Sequence, residues 1–217
     1  MVYWMQRSQR AADNDALNIA IAAGNELRKP VLVFFQLLAP AHHANLRHYE
    51  FMQRGLAELL RKRNVGFVLR ADPDDDFLRF CAEVHPCLVI GDENPLRGAE
   101  RAKARIAAEL RIPFWTVDAD LIVPSRMLGK KHYAARTIRP KIHALLPTFL
   151  KPTRDPMAKV KWRGGMRSVA PGANLLDRIP LERSIAPVSK FAGGNAAAQK
   201  TLRRFLRDRL NGYAAPA

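Results

Sequence analysis

The chain has few cysteines and no long apolar run, and both absences narrow what it is. Two thiols, Cys81 and Cys87, stand in 217 residues. That is too few for a disulfide framework, and their spacing matches neither a redox pair nor a zinc site, so a reducing compartment is expected. The longest apolar stretches, such as Val31–Phe35, are strand-sized and far short of a membrane span. The opening MVYWMQRSQR lacks both the basic and the apolar region of a secretory signal, so a cytoplasmic protein without membrane contact is expected. Glycine-rich phosphate loops are missing too. No Gly-x-Gly-x-x-Gly follows the first strand and no Walker loop occurs, which disfavours the usual dinucleotide site. Ser8 follows a strand but lacks the glycines of a nucleophile elbow. His42, His43 and His48 have no Cys or carboxylate partner at ligand spacing, so no metal is assigned.

What is present is an alternation. Apolar, β-rich segments begin near Val2, Val31, Val65, Cys87 and Pro113, and amphipathic helical patterns separate them. The spacing predicts helices from Asp13 to about Leu27, from His43 to Lys62, from Asp72-Pro73 through Phe80 and Cys81, and from Leu96 to Leu110. Five strand-helix alternations mean a Rossmann-like α/β fold: a doubly wound, five-stranded parallel sheet with right-handed crossovers. Trp4 and Trp115 lie in strands and read as core. Beyond Asp118 the pattern changes. A helix is expected from Ala134 to Leu150, started or bent by Pro140, followed by a proline-rich stretch that either wraps the sheet or is partly mobile. Gly193-Gly194 precede a last helix, Asn195 to Leu210, whose apolar stripe needs a partner surface. The expected division is 1–150 for the sheet unit and 151–217 for a basic, irregular linker and C-terminal helix.

Charge is the other strong signal. The net charge is +16, and ten of those excess charges fall after Leu150. This is either a solvated basic surface or a face for a polyanion. Lys130, Lys131, Lys159, Lys161, Arg163 and Arg167 are the candidate nucleic-acid-binding residues. In open α/β sheets ligands sit at the carboxyl ends of the strands. The candidate binding residues there are Met5, Gln6, Arg7, Gln9, Arg10, Gln36, Asp92, Leu96 and Asp118, a set suited to a planar heteroaromatic ring with polar edges. Arg7, Arg10 and Asp13 have a second reading, a structural network that caps the first helix.

Several blocks, in order, resemble class II cyclobutane pyrimidine dimer photolyases. They are Tyr3 to Leu17, Arg47-His48-Tyr49-Glu50-Phe51-Met52-Gln53-Arg54-Gly55-Leu56, Val117 to Pro124, Tyr133 to Ile142, and Gly193-Gly194 through Gly212-Tyr213. The sequence departs from the family pattern at Ser8, where an acidic residue is usual, at Asp15, where Trp is usual, and at Asp120-Leu121, which replace a His-Asn pair. The resemblance implies an amino-terminal α/β domain that in some members holds an antenna pigment such as an 8-hydroxy-5-deazaflavin. It further implies that FAD and the dimer-splitting electron transfer belong to a helical domain beyond this chain. No catalytic residue is therefore assigned, and Trp4, Trp115 and Trp162 are poor candidates for a flavin-reducing chain. The expected function is a photolyase-like, chromophore- or nucleotide-binding unit that is not catalytic alone. Two alternatives stay open: an accessory module binding DNA or a partner through the basic tail, and photorepair in trans with a separate FAD-binding domain. The faces that would meet such a domain, including Ile138, Leu145, Leu146, Phe149, Phe205 and Leu206, are expected to be exposed or buried by self-association.

Overall fold

The computed structural model describes residues 1–38, 44–56, 63–71, 76–177 and 179–213. Five short strands, β1 (Val2–Met5), β2 (Leu32–Gln36), β3 (Gly66–Arg70), β4 (Val89–Asp92) and β5 (Phe114–Val117), form one parallel sheet in the order β3-β2-β1-β4-β5. The expected α/β fold is thus the observed one. Register is set by pairs such as Tyr3 with Val33 and with Ile90. The strand order reverses between β1 and β4, so the helices divide between the two faces.

Strand side chains alternate between those faces. Tyr3, Met5, Val33, Phe35 and Leu69 join a core with α1 (Asp15–Glu26) and α2 (Leu46–Leu56). Val2, Trp4, Leu32, Phe34 and Val68 join a second core with α3 (Phe77–Val84), against which α4 (Arg97–Leu110) packs Ile106 and Leu110. This explains the unbroken apolar character of β2: a central parallel strand is buried on both sides. Aromatic packing dominates the second core. Trp4 stacks on Phe77 at 4.1 Å and Phe34 on Phe80 at 4.4 Å, each pair contributing about 0.5–1.5 kcal/mol beyond area burial.

Two expectations change, and a third falls outside the described residues. Asn14, not Asp13, caps α1: its side chain accepts from the Leu17 N–H at 3.0 Å, whereas Asp13 turns the chain with φ 54°. Trp115 is 52% exposed, because β5 is an edge strand that sends Phe114 toward the second core and Trp115 to the opposite face. The expected helical start at Asp72-Pro73 and the end of α2 at Lys62 lie outside the described residues; within them α3 is capped by Asp76.

The stretch after Leu150 wraps the sheet. Main-chain bonds from Ala158 to Arg63 and from Val169 to Leu69 lay it along the β3 edge. Ala158, Leu175, Leu176 and Ile179 enter the first core, the middle two from the short helix α6 (Ala173–Leu176). Arg63, 5% exposed, clamps this path through Asp155, the Pro156 carbonyl, the Ala11 carbonyl and Asn18. By contrast α5 (Ala135–Phe149), which contains both Pro140 and Pro147, and α7 (Asn195–Asp208) bury no residue.

Candidate functional site

A crevice of about 340 Å³ opens at the carboxyl ends of β1 and β2. Trp4, Met5, Phe35 and Leu37 bring apolar surface to it from the strands, and Tyr49 and Met52 bring it from α2. The helix presents these two because residues three apart share a face. The Tyr49 hydroxyl donates to the Leu38 carbonyl at 2.8 Å, which ties α2 to the end of β2. Polar atoms come from Gln6, Gln9, Gln36 and His48, whose ring Asn45 holds. Among the described residues no carboxylate, lysine or guanidinium lines this space.

The strand-order switch between β1 and β4 is where open sheets usually bind a ligand, and here the protein fills it. Asp92, 1% exposed at the end of β4, accepts the main-chain N–H groups of Gln6, Arg7 and Ser8 on Oδ2 at 2.9, 2.7 and 2.9 Å. Its Oδ1 accepts the Tyr3 hydroxyl at 2.7 Å. Burial and the adjoining carboxylate push the Tyr3 phenol well above its ordinary value. Asn14 completes the knot, donating to Tyr3 Oη and to the Ser8 and Arg10 carbonyls. Behind Asp92, Lys103 is 7% exposed and donates Nζ to the Asp92 carbonyl at 2.7 Å; desolvation lowers the pKa of its ammonium. The amides that would cradle a phosphate are consumed by a carboxylate from the same chain.

The candidate binding residues therefore separate into two groups. Met5, Gln6, Gln9 and Gln36 line the crevice. Arg7 instead pairs with Asp120 at 2.8 Å, and Arg10 donates to the Asp13 and Ala119 carbonyls. These contacts tie the loop to its own turn and to the chain after β5, while the cap of α1 comes from Asn14. Asp92 is internal, and Asp118 accepts the Ser125 N–H. Leu96, at the start of α4, is 68% exposed and away from the crevice. Tyr3 and Asn14, which build the knot, and Tyr49 and Met52, which wall the crevice, are functional positions that the sequence does not mark as such. The one available signal was an uncompensated Asp at the end of a buried strand.

The candidate nucleic-acid residues are all exposed, but they do not form one strip. Lys130 and Lys131 follow a short 3-10 turn, Ser125–Leu128, attached beyond β5. Lys159 to Arg167 run along β3, at the opposite edge of the sheet. Among the described residues no group of three His, Cys, Asp or Glu is placed to hold a metal ion, and no helix is long and apolar enough to cross a membrane. His42 and His43 lie outside the described residues.

Known proteins place this geometry in context. The family model described as DNA photolyase matches residues 1–159. A deoxyribodipyrimidine photo-lyase of Methanothermobacter thermautotrophicus is 32% identical over 217 residues, covering 97% of this chain and 47% of that protein. One from Arabidopsis thaliana is 32% identical, covering 98% and 46%. The chain thus spans about half the length of the curated relatives it matches. A bacterial class III photolyase from Agrobacterium tumefaciens shares the fold, with a TM-score of 0.63 over 94% of this chain and 44% of that one, at 15% identity.

Proposed function

Because the chain belongs to the DNA photolyase family, we propose that its sheet unit is the pigment-holding part of a light-dependent DNA repair system of the class II type, with the β1-β2-α2 crevice as the pigment site. The observation that carries this reading is the crevice itself: apolar walls, amide edges and, among the described residues, no carboxylate, lysine or guanidinium group. At about 340 Å³ it lies at the small end of ligand pockets, enough for a planar ring system with its polar tail directed outward. An 8-hydroxy-5-deazaflavin ring fits these walls. FAD does not fit here as a dinucleotide, since the amides of residues 6–8 are taken by Asp92.

In this reading Trp4, Phe35, Tyr49 and Met52 exclude water and hold the ring by its faces, while Gln6, Gln9 and Gln36 bond its edge. When bound, the pigment supplies absorption of light and transfer of that excitation. The chain's own contribution is to fix and dry it, and the dimer-splitting chemistry is assigned to a flavin-bearing helical domain. The test is an absorption and fluorescence titration of the purified protein with an 8-hydroxy-5-deazaflavin and, separately, FAD, beside a light-dependent dimer repair assay. Saturable uptake of the deazaflavin with little of FAD is expected. Uptake of neither overturns the reading.

A second reading, docking of a separately encoded helical domain, is favoured by α7. It buries no residue, leaves Leu202 and Leu206 about half exposed, and with α2 borders an apolar groove of about 960 Å³ lined by Phe51, Phe191 and Phe205.

A further inference from the structure

We infer that Asp92 is a positioning residue for the crevice: through the amides of Gln6, Arg7 and Ser8 it sets where the Gln6 and Gln9 side chains meet a bound ring. This rests on the crevice reading above. Asp92 itself does not line the cavity, so its influence passes through the loop.

Asn14 and the turn bonds hold the loop through its carbonyls, but the N–H groups of residues 6–8 depend on Asp92. Three N–H donors converge on one buried oxygen. Without that acceptor they would be orphaned where water does not replace it, the costly case for a backbone group. The Gln6 carbonyl is taken as well, by Gln9 Nε2 at 3.1 Å. The main chain of Gln6 is thus fixed on both sides, leaving only its side chain to adjust to a ligand. A second tie fastens the far side of the loop to the chain after β5: Ser8 Oγ to Asp120 Oδ1 at 3.0 Å, and Arg7 to Asp120. That tie is partly exposed, whereas the Asp92 knot is buried and stands on Lys103, whose ammonium grips the Asp92 carbonyl from α4. The same arrangement bears on selectivity. A carboxylate already sits where the loop amides point, so a ligand phosphate has neither donors nor room there and meets like charge.

The test combines binding with amide exchange, using an 8-hydroxy-5-deazaflavin as the probe on the wild type, Asp92→Asn, Gln6→Ala and the double variant. Asp92→Asn is expected to weaken the probe about tenfold, to shift the bound probe's absorption band, and to expose the amides of residues 6–8 to exchange while β1 keeps its protection. In the double variant the two losses are expected to be less than additive, because Asp92 acts on the ring through Gln6. Fully additive losses, or loop amides that stay protected in Asp92→Asn, overturn the inference. Absence of probe binding in the wild type removes the crevice reading alone. The exchange result then decides whether Asp92 holds the loop. Should Asp92→Asn not fold, Asp92→Ala with added formate replaces it. Formate restoring protection at residues 6–8 supports the inference, and formate without effect counts against it.

Discussion

At the scale of single residues, burial decides chemistry. Cys81 sits on the buried face of α3 in the second core, and burial pushes its thiol up to about 12, whereas Cys87 is exposed. One thiol is therefore expected to react with a disulfide reagent in the native protein and the second only after denaturation, which a thiol count with and without denaturant checks. The sign of the linked stability follows. Unfolded, Cys81 releases its proton from about pH 9, and folded it does not, so the unfolded state binds fewer protons and stability falls as pH rises from 9 toward 12. Tyr3→Phe removes a buried donor from Asp92 and an acceptor from Asn14, and should cost about 1–3 kcal/mol in a denaturant titration without changing the sheet's far-ultraviolet signature. Neither Tyr3 nor Asn14 announces this role in the sequence. The Tyr3–Asp92 contact exists only once β1 and β4 lie side by side, and Asn14 reads as an ordinary turn residue until it closes on Tyr3 and the carbonyls of Ser8 and Arg10.

At the scale of elements, the strands and helices were legible because each has a clear period. β1 begins at Val2 as the pattern indicates and β2 to β5 begin within two residues of their apolar segments, since continuous apolar runs have one home in a parallel sheet. The crevice lining is legible only in part: Gln6 and Gln36 stand at the carboxyl ends of β1 and β2, where the strand pattern points, but the α2 wall depends on how a helix is rolled against the sheet. One tie between elements is Arg70 at the end of β3, 2% exposed and bidentate to Glu83 of α3 at 2.9 and 2.6 Å. The hydrogen bonds from Arg70 hold the Glu83 carboxyl below its ordinary value, so this contribution is present above about pH 4.5 and is lost on acidification below it. Glu83→Gln should lower stability by about 1–2 kcal/mol at neutral pH, discounted for the half-exposed carboxylate, and should flatten the acid limb of the stability curve. Another tie is Gly193, where a Cβ would stand 2.1 Å from the Phe51 carbonyl oxygen. Gly193→Ala is expected to push α7 off α2, seen as faster proteolysis ahead of Asn195 with the sheet intact.

At the scale of the whole molecule, the +16 charge is spread over both edges of the sheet and over α7 rather than gathered in one groove. Retention on duplex DNA is accordingly expected to be of the nonspecific kind, falling steeply with salt and indifferent to sequence, which a binding series at several ionic strengths checks. The Asp92 knot has one more consequence, for the order of assembly. Its three amide partners lie 84 to 86 residues earlier in the chain. As the polypeptide leaves the ribosome, the opening loop therefore waits for β4 before it acquires its shape, because so distant a contact must first meet the entropy of closing the intervening chain. The loop of residues 6–8 thus becomes native only after β4 has docked beside β1, and a pigment that needs the loop in place cannot enter before then.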